Sequence, residues 1–301
     1  MNRLKGITMI VAGSIFWGAT GPMMEWMLQN TIMTAEFMLA VRLIIAGCGL
    51  LVILKLQHVK IGQVWQDRSW RLQLIIFSVI GMTGLQLTFV KTIEASDAVV
   101  ATLLQFLAPI FIIIYLSFKL RKRPPSVQVI GMVGTLIGLF LLLTNGSLST
   151  LEVSNKTLIW GVSLGLTYAF YTLYPARLQQ EWGVLLIIAW GMIISGIILA
   201  CFGEIWATQE WSLLAKPNIL AMMIALVVLG ASAFILFLSS MKYISPVETS
   251  ILSSFEPLTA MIISALWLDA YLKNVQYVGA ILMLAFIIYL SIAGEGKKKT
   301  Q

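Results

Sequence analysis

Residues Ile244 to Asp269 read ISPVETSILSSFEPLTAMIISALWLD. The stretch is apolar over about the length of a membrane-spanning helix, roughly 20 residues, yet Glu256 and Pro257 stand together near its middle. An acidic side chain at a helix centre costs about 2.5 kcal/mol or more on insertion scales. A proline lacks the backbone donor and crowds the preceding turn. Two such costs at adjacent positions mark a site as well as a span. Glu248 in the same stretch has a simpler reading. Ser245, Pro246 and Glu248 form a capping box, with Ser245 at the N-cap and Pro246 at the first helical position. Glu248 and Glu256 lie roughly 12 Å apart along a helix axis, too far for a carboxylate pair.

The rest of the chain has the same character. Of 301 residues 59% are hydrophobic and 11% charged, and the mean hydropathy is +0.93. A soluble domain carries about 25% charged residues, so this chain lacks the charge to cover a water-facing surface. Apolar runs recur along its length and predict ten transmembrane helices at 4–22, 33–54, 71–90, 96–118, 126–144, 157–176, 183–202, 217–240, 245–268 and 274–293. Of the 20 Lys and Arg, Arg42 falls inside a span, Lys91, Lys156, Lys216 and Lys273 fall on one side, and the rest fall on the other. By the positive-inside rule the richer side is cytoplasmic, which predicts a multi-pass protein of the cytoplasmic membrane with both termini inside the cell. The net charge of +7 is thereby topology and not a nucleic-acid surface. Ala19-Thr20-Gly21 is a poor cleavage site, so the first span reads as a retained helix. Cys48 and Cys201 fall in different spans and read as small buried hydrophobes without disulfide or metal spacing.

The chain repeats itself. Placing Pro109 on Pro257 (257 − 109 = 148) sets Asp97 on Ser245, Leu104 on Leu252, Ser126 on Asn274 and Gly131 on Gly279. Asp97, Ser245, Ser126 and Asn274 are N-cap residue types at the starts of spans. Pro22 pairs with Pro175 at a different offset, 153. Pro22, Pro109, Pro175 and Pro257 are the predicted helix kinks. Each half has five spans, an odd number, so the second half enters the membrane from the opposite side and the repeats are inverted, the layout of many secondary carriers. The predicted organisation is a first five-helix repeat at 4–144, a polar linker at 145–156, a second repeat at 157–293 and a basic cytoplasmic tail at 294–301.

These features resemble the drug/metabolite transporter superfamily, in its EamA-type branch. Trp17-Gly18, Arg42, Ala108-Pro109, Glu256-Pro257 and Asp269 carry the resemblance, over nearly the whole chain. The sequence departs from the family pattern at two helix ends, with Phe118-Lys119-Leu120-Arg121 and Leu268-Asp269 where an acidic residue after a glycine is usual. The resemblance implies a carrier of small organic metabolites, commonly an exporter.

The candidate substrate-binding residues are Glu256, Trp17, Thr20, Arg42, Gln86, Gln105, Tyr168, Tyr171 and Ser253. Glu256 could hold an amino or hydroxyl group or a proton, or satisfy backbone groups freed by Pro257. Arg42 must face the protein interior and find a partner, a carboxylate on another helix or a carbonyl end, and serves as a clamp or as a substrate group. Trp17 and Thr20 lie in an irregular part of span one. Its mate at offset 153, Thr167 to Pro175, holds Tyr168 and Tyr171, which line a pocket or pack. Gln86, Gln105, Ser253 and Ser254 line a cavity or bond between helices. Gly131, Gly134 and Gly138 give span five a smooth face for packing inside the protomer.

No catalytic or metal-binding set is present. The lone histidine is His58, no HExxH or Cys cluster appears, and there is no Walker A sequence, so neither an enzyme, a metal, a cofactor nor ATP drive is expected. The polar groups are few and asymmetric, unlike a channel's rings. The reading is a secondary transporter that moves a small organic metabolite, an amino acid or similar solute, by alternating access, as a monomer or weak homodimer in the lipid bilayer. Proton coupling stays open. Nucleotide sugars and drugs are the alternative cargoes of the same fold.

Overall fold

A computed structural model describes residues 2–121, 123–146, 154–269, 273–282 and 285–286, and among these every regular element is helical. The main helices are α1 (Asn2–Asn30), α2 (Ala35–Leu56), α3 (Arg68–Ala95), α4 (Ala98–Leu120), α5 (Ser126–Thr144), α6 (Asn155–Leu173), the short α7 (Ala176–Trp182), α8 (Val184–Phe202), α9 (Pro217–Ser240), α10 (Pro246–Leu252) and α11 (Phe255–Trp267). Six of them, α1 to α4, α8 and α9, are long and apolar enough to cross a membrane. The ninth predicted span is divided between α10 and α11. The last begins at residue 274, and most of its second half, the greater part of the linker and the C-terminal tail lie outside the described residues.

Local chemistry sets the ends. Thr34 caps α2 by accepting from the Phe37 N–H, and Asp67 and Asp97 cap α3 and α4. The capping box forms as read: Ser245 Oγ accepts from the Glu248 N–H at 3.1 Å, and Glu248 Oε2 accepts from the Ser245 N–H at 2.9 Å. Arg3 adds an ion pair to the same carboxylate at 3.2 Å. Ser126, by contrast, is the first residue of α5 and not its cap, since Pro125 stands there.

Pro109 and Pro257 interrupt their helices in the same way. A proline cannot donate to the carbonyl four residues back, so Gln105 O and Ser253 O lose their usual partners. In each case the residue before the proline takes the freed carbonyl in a tighter turn. The Ala108 N–H bonds Gln105 O, and the Glu256 N–H bonds Ser253 O at 2.8 Å. The result is a break in each helix. Pro22 lies inside a continuous α1. Pro175 lies beyond its helix, because α6 ends at Leu173 and the proline sits in the turn before α7.

The halves pack by exchange. Helix α2 crosses α8; α1 packs on α9 as α6 packs on α3; α1 packs on α11 as α6 packs on α4. Glycines permit the closest approaches. A Cβ on Gly47 would lie 2.8 Å from Ala189 O and 3.0 Å from Ile193 N, and one on Gly196 would lie 3.1 Å from Ala40 O and 3.0 Å from Ile44 N. All three correspondences share one offset (189 − 40, 193 − 44 and 196 − 47 each equal 149), so each helix meets the other as it is met. Gly18 likewise sits on the Glu256 carbonyl and Thr259, and Gly165 on Leu107 and Ala108, beside the two breaks.

That last pair corrects the register between spans one and six. Gly18 and Gly165 differ by 165 − 18 = 147, close to the 148 of the prolines, and not by the 153 that pairs Pro22 with Pro175. The two prolines are unrelated because one lies within a helix and the other beyond a helix end. The cysteines also depart from expectation: Cys48 and Cys201 are exposed on the outer face of the bundle. Gly134 packs against Phe286, within the chain as expected.

Candidate functional site

A cavity lies where helices of both halves converge. Helix α1 contributes Trp17, Thr20 and Met24, whose spacing places them on one face. Arg42 enters from α2, Gln105 from the break in α4 and Glu256 from the start of α11. Leu85, Gln86 and Phe89 from α3 and Phe234 from α9 complete the wall.

Helix α3 carries a wide turn just before its contribution. Residues Phe77–Thr83 are π-helical, a local irregularity often found near functional groups. The looser turn leaves the Ser78 carbonyl to accept from Thr83 Oγ1 at 2.9 Å and, across the bundle, from Ser195 Oγ at 3.0 Å. Gln86 follows one turn later.

Arg42 is 3% exposed. Its Nη2 donates to Gln86 Oε1 at 2.7 Å and its Nη1 to the Met24 sulfur at 3.4 Å. No ion pair among the described residues involves Arg42. The carboxylate or helix-end partner predicted for it is therefore an amide and a thioether. The carboxylates lie elsewhere. Glu36, on its own helix, pairs with Lys91 at 3.0 Å, and Glu256 is held from another direction.

Glu256 is 2% exposed, and its Oε2 accepts from Gln105 Nε2 at 2.7 Å. Gln105 is the counterpart of Ser253 at the offset of 148, so this bond links the break of one half to the break of the other. Each buried ionisable side chain on the wall, one basic and one acidic, thus has a glutamine as a polar partner.

Trp17 forms part of an aromatic wall. Its ring meets Phe234 edge-on at 4.8 Å and lies 5.1 Å from Phe237. Thr20 donates its hydroxyl to Trp17 O at 2.7 Å. Six of the nine predicted residues, Glu256, Trp17, Thr20, Arg42, Gln86 and Gln105, meet at this one cavity.

Tyr168, Tyr171 and Ser253 do not line it. Tyr168 packs behind Trp17 and against Phe237, with its hydroxyl beside Ser253 and toward Glu256. Tyr171 is enclosed by Phe77, Phe234 and Phe237. Both tyrosines are fully buried because α6 turns its aromatic face into the packed bundle, away from the cavity. Met24, Leu85, Phe89 and Phe234 were missed. Met24 follows from the Trp17 and Thr20 spacing; the others carry no signal beyond their apolarity. A second, apolar cavity lies between α4 and α5, lined by Phe106, Pro109, Met132 and Ser254 among others. Glu25, the residue after Met24, is also buried, where it accepts from the Ala98 N–H at 3.0 Å and anchors the start of α4 to α1.

Residues 4–144 and 155–292 each match the EamA-like transporter family. The chain belongs to the EamA-like transporter family. It is 33% identical over 289 residues to the uncharacterized inner membrane transporter YicL of Salmonella typhimurium, covering 96% of this chain and 95% of that protein. The uncharacterized transporter YwfM of Bacillus subtilis is 24% identical over 294 residues, covering 97% and 95%. A crystal structure described only as that of a protein superposes with a TM-score of 0.70 at 15% identity, over 97% of this chain and 98% of its own, so it shares the fold. This EamA-like protein is accordingly a multi-pass membrane protein and a transporter of small molecules, not an enzyme.

Proposed function

We propose that this transporter is a secondary carrier that moves a small organic metabolite, an amino acid or similar solute, out of the cell across the cytoplasmic membrane by alternating access, with both termini cytoplasmic. The observation that carries the reading is the pair of buried ionisable side chains, basic Arg42 from the first half and acidic Glu256 from the second, on the wall of one cavity between the halves. A site shared by two halves that pack by exchange suits a solute held near the repeat axis while one half moves against the other. The wall offers a single arginine among aromatic and aliphatic groups, which disfavours a diphosphate-bearing nucleotide sugar. Glu256 is the carboxyl on this wall that could carry a proton. A monomer or weak dimer suffices, because the cavity is lined from one chain.

Counterflow in proteoliposomes tests this. Labelled solute should accumulate transiently against an unlabelled internal pool, and a reversed starting gradient should reverse its direction. Flux without such exchange would indicate a passive pore and overturn the carrier reading. Imposing a pH gradient in the same vesicles decides whether protons are coupled.

A further inference from the structure

A layer of six aromatic rings lies against one side of the cavity, toward the helix ends that the charge count makes cytoplasmic. Phe234 belongs to the cavity wall, and Phe237 follows it one turn nearer the cytoplasmic end of α9. Tyr168 and Tyr171 stand near the same end of α6, and Phe77 lies eight residues nearer the start of α3 than Leu85 of the wall. Trp17 is the sixth ring. The layer is a seam between two packed groups. Trp17, Phe234 and Phe237 come from α1 and α9, which pack together, and Tyr168, Tyr171 and Phe77 come from α6 and α3, which do the same. Across the seam the ring centres of Trp17 and Tyr168 lie 6.1 Å apart, and those of Tyr168 and Phe237 lie 5.4 Å apart. Tyr171 lies 5.6 Å from Phe234 and 5.9 Å from Phe237. Phe77, Tyr168, Tyr171 and Phe237 are each at most 1% exposed, so this side is sealed.

The repeat shows what the seam replaces. Tyr171 is the counterpart of Met24 (171 − 24 = 147) and Phe237 of Phe89 (237 − 89 = 148), and both counterparts line the cavity. Arg42 answers to Gly191 (191 − 42 = 149), and the Phe77 ring comes within 3.1 Å of where a Gly191 Cβ would stand. Positions that line the cavity in one orientation are thus packed with rings in the other. One polar atom is left over. Tyr171 is fully buried, and its hydroxyl has no hydrogen-bond partner among the described residues. A buried donor without an acceptor is costly, and water reaching it as the seam parts would remove that cost.

We propose that this seam is the cytoplasmic gate of the transporter, that Tyr171 and Phe237 line the cavity when it faces the cytoplasm as Met24 and Phe89 line it here, and that the unpaired Tyr171 hydroxyl sets how readily the gate parts. Inverted repeats supply two arrangements about one fixed site, related by exchange of the halves' conformations. Tyr171 then gives a polar group to a face that is otherwise aromatic. The inference rests on the carrier reading and its orientation, and adds to them the residues that open and close one side.

The test labels single cysteines in sealed membrane vesicles with a charged, membrane-impermeant methanethiosulfonate. Full-length protein carrying Cys48→Ser and Cys201→Ser receives either Phe237→Cys or, at the counterpart position, Phe89→Cys, in right-side-out and in inverted vesicles. Phe237→Cys should react from the cytoplasmic side alone and Phe89→Cys from the outside alone. Adding Tyr171→Phe keeps the packed ring and removes the unpaired donor. It should slow labelling of Phe237→Cys by about five-fold or more, with Phe89→Cys labelled as fast or faster. A ring with a packing role alone would change neither rate. Reaction of Phe237→Cys from neither side, or from the same single side as Phe89→Cys, overturns the proposal; so does an unchanged rate in a folded Tyr171→Phe protein. Where Phe237→Cys does not fold, Tyr171→Cys reports on the same seam with the same expected sidedness. Exchange of the two sides would overturn the placing of the termini and leave the gate standing. Reaction of both cysteines from both sides is the mark of a passive pore and would overturn the carrier reading itself.

Discussion

Gln105 Nε2 lies 2.7 Å from Glu256 Oε2, and this bond ties the break in α4 to the break between α10 and α11. Both residues sit where a proline has released a backbone carbonyl, so the bond couples the least regular points of the two halves. Glu256→Gln keeps an oxygen for Gln105 and removes only the charge. It should reduce transport about ten-fold or more, since a hydrogen bond to a charged group contributes roughly 1.5–3 kcal/mol, while folded yield stays near that of the unaltered protein. Yield read by size-exclusion chromatography beside counterflow checks this. Unimpaired exchange by the variant would remove Glu256 from the site.

Arg42→Lys preserves charge but not shape. The guanidinium reaches Gln86 and the Met24 sulfur at once, and a single ammonium on a flexible stem lacks that planar fork. We expect weaker solute binding, by about ten-fold, with the folded fraction retained. Equal affinity by calorimetry in the two proteins would show that the fork is dispensable.

The α2–α8 crossing gives a prediction with its own control. At Gly47 a Cβ would lie 2.7 Å from Ile193 Cγ1 and 2.8 Å from Ala189 O, whereas at Gly49 nothing lies within 4 Å. Gly47→Ala should lower the unfolding midpoint, because overpacking costs typically about 1–3 kcal/mol. Gly49→Ala should be neutral or raise it, because alanine is favoured over glycine in a helix by about 0.8–1.0 kcal/mol. Gly196→Ala should behave like Gly47→Ala. Thermal unfolding in detergent ranks the three, and a midpoint for Gly47→Ala at or above that of Gly49→Ala would contradict the crossing.

The start of α10 separates a cap from an ion pair. Ser245→Ala removes the N-cap acceptor and should cost about 1 kcal/mol. Arg3→Ala removes a partly exposed ion pair with Glu248, and such pairs contribute about 0–1 kcal/mol and weaken in salt. Stability measured at low and high ionic strength should therefore show a salt-sensitive loss for Arg3→Ala and a salt-insensitive one for Ser245→Ala.

What could be read before folding was what local chemistry and period dictate. Hydropathy gave the membrane class and the positions of the six long apolar helices among the described residues. The offset of 148 gave the pairing of Pro109 with Pro257, and the Ser245-Pro246-Val247-Glu248 run gave the capping box. Buried polarity marked Glu256, Arg42, Gln86 and Gln105, because each is expensive in an apolar bundle and needs a reason. The reading failed where two positions had to be compared through space. Pro22 was paired with Pro175 by residue type, while the packing of Gly18 and Gly165 on the two breaks sets an offset of 147. The aromatic run of α6 pointed to a pocket, yet Tyr171 is enclosed by three phenylalanines.

By itself the sequence determined a helical membrane protein of two repeats, broken at matching prolines, with four costly polar side chains in its spans. Only the tertiary structure decided that those four form two partnerships, Arg42 with Gln86 and Glu256 with Gln105, on the wall of one cavity. A helix that is apolar nearly all round carries no face by which its rotation can be read. Rotation is set by packing against neighbours, through close approaches at residues such as Gly18, Gly47, Gly165 and Gly196, and rotation determines which polar groups meet.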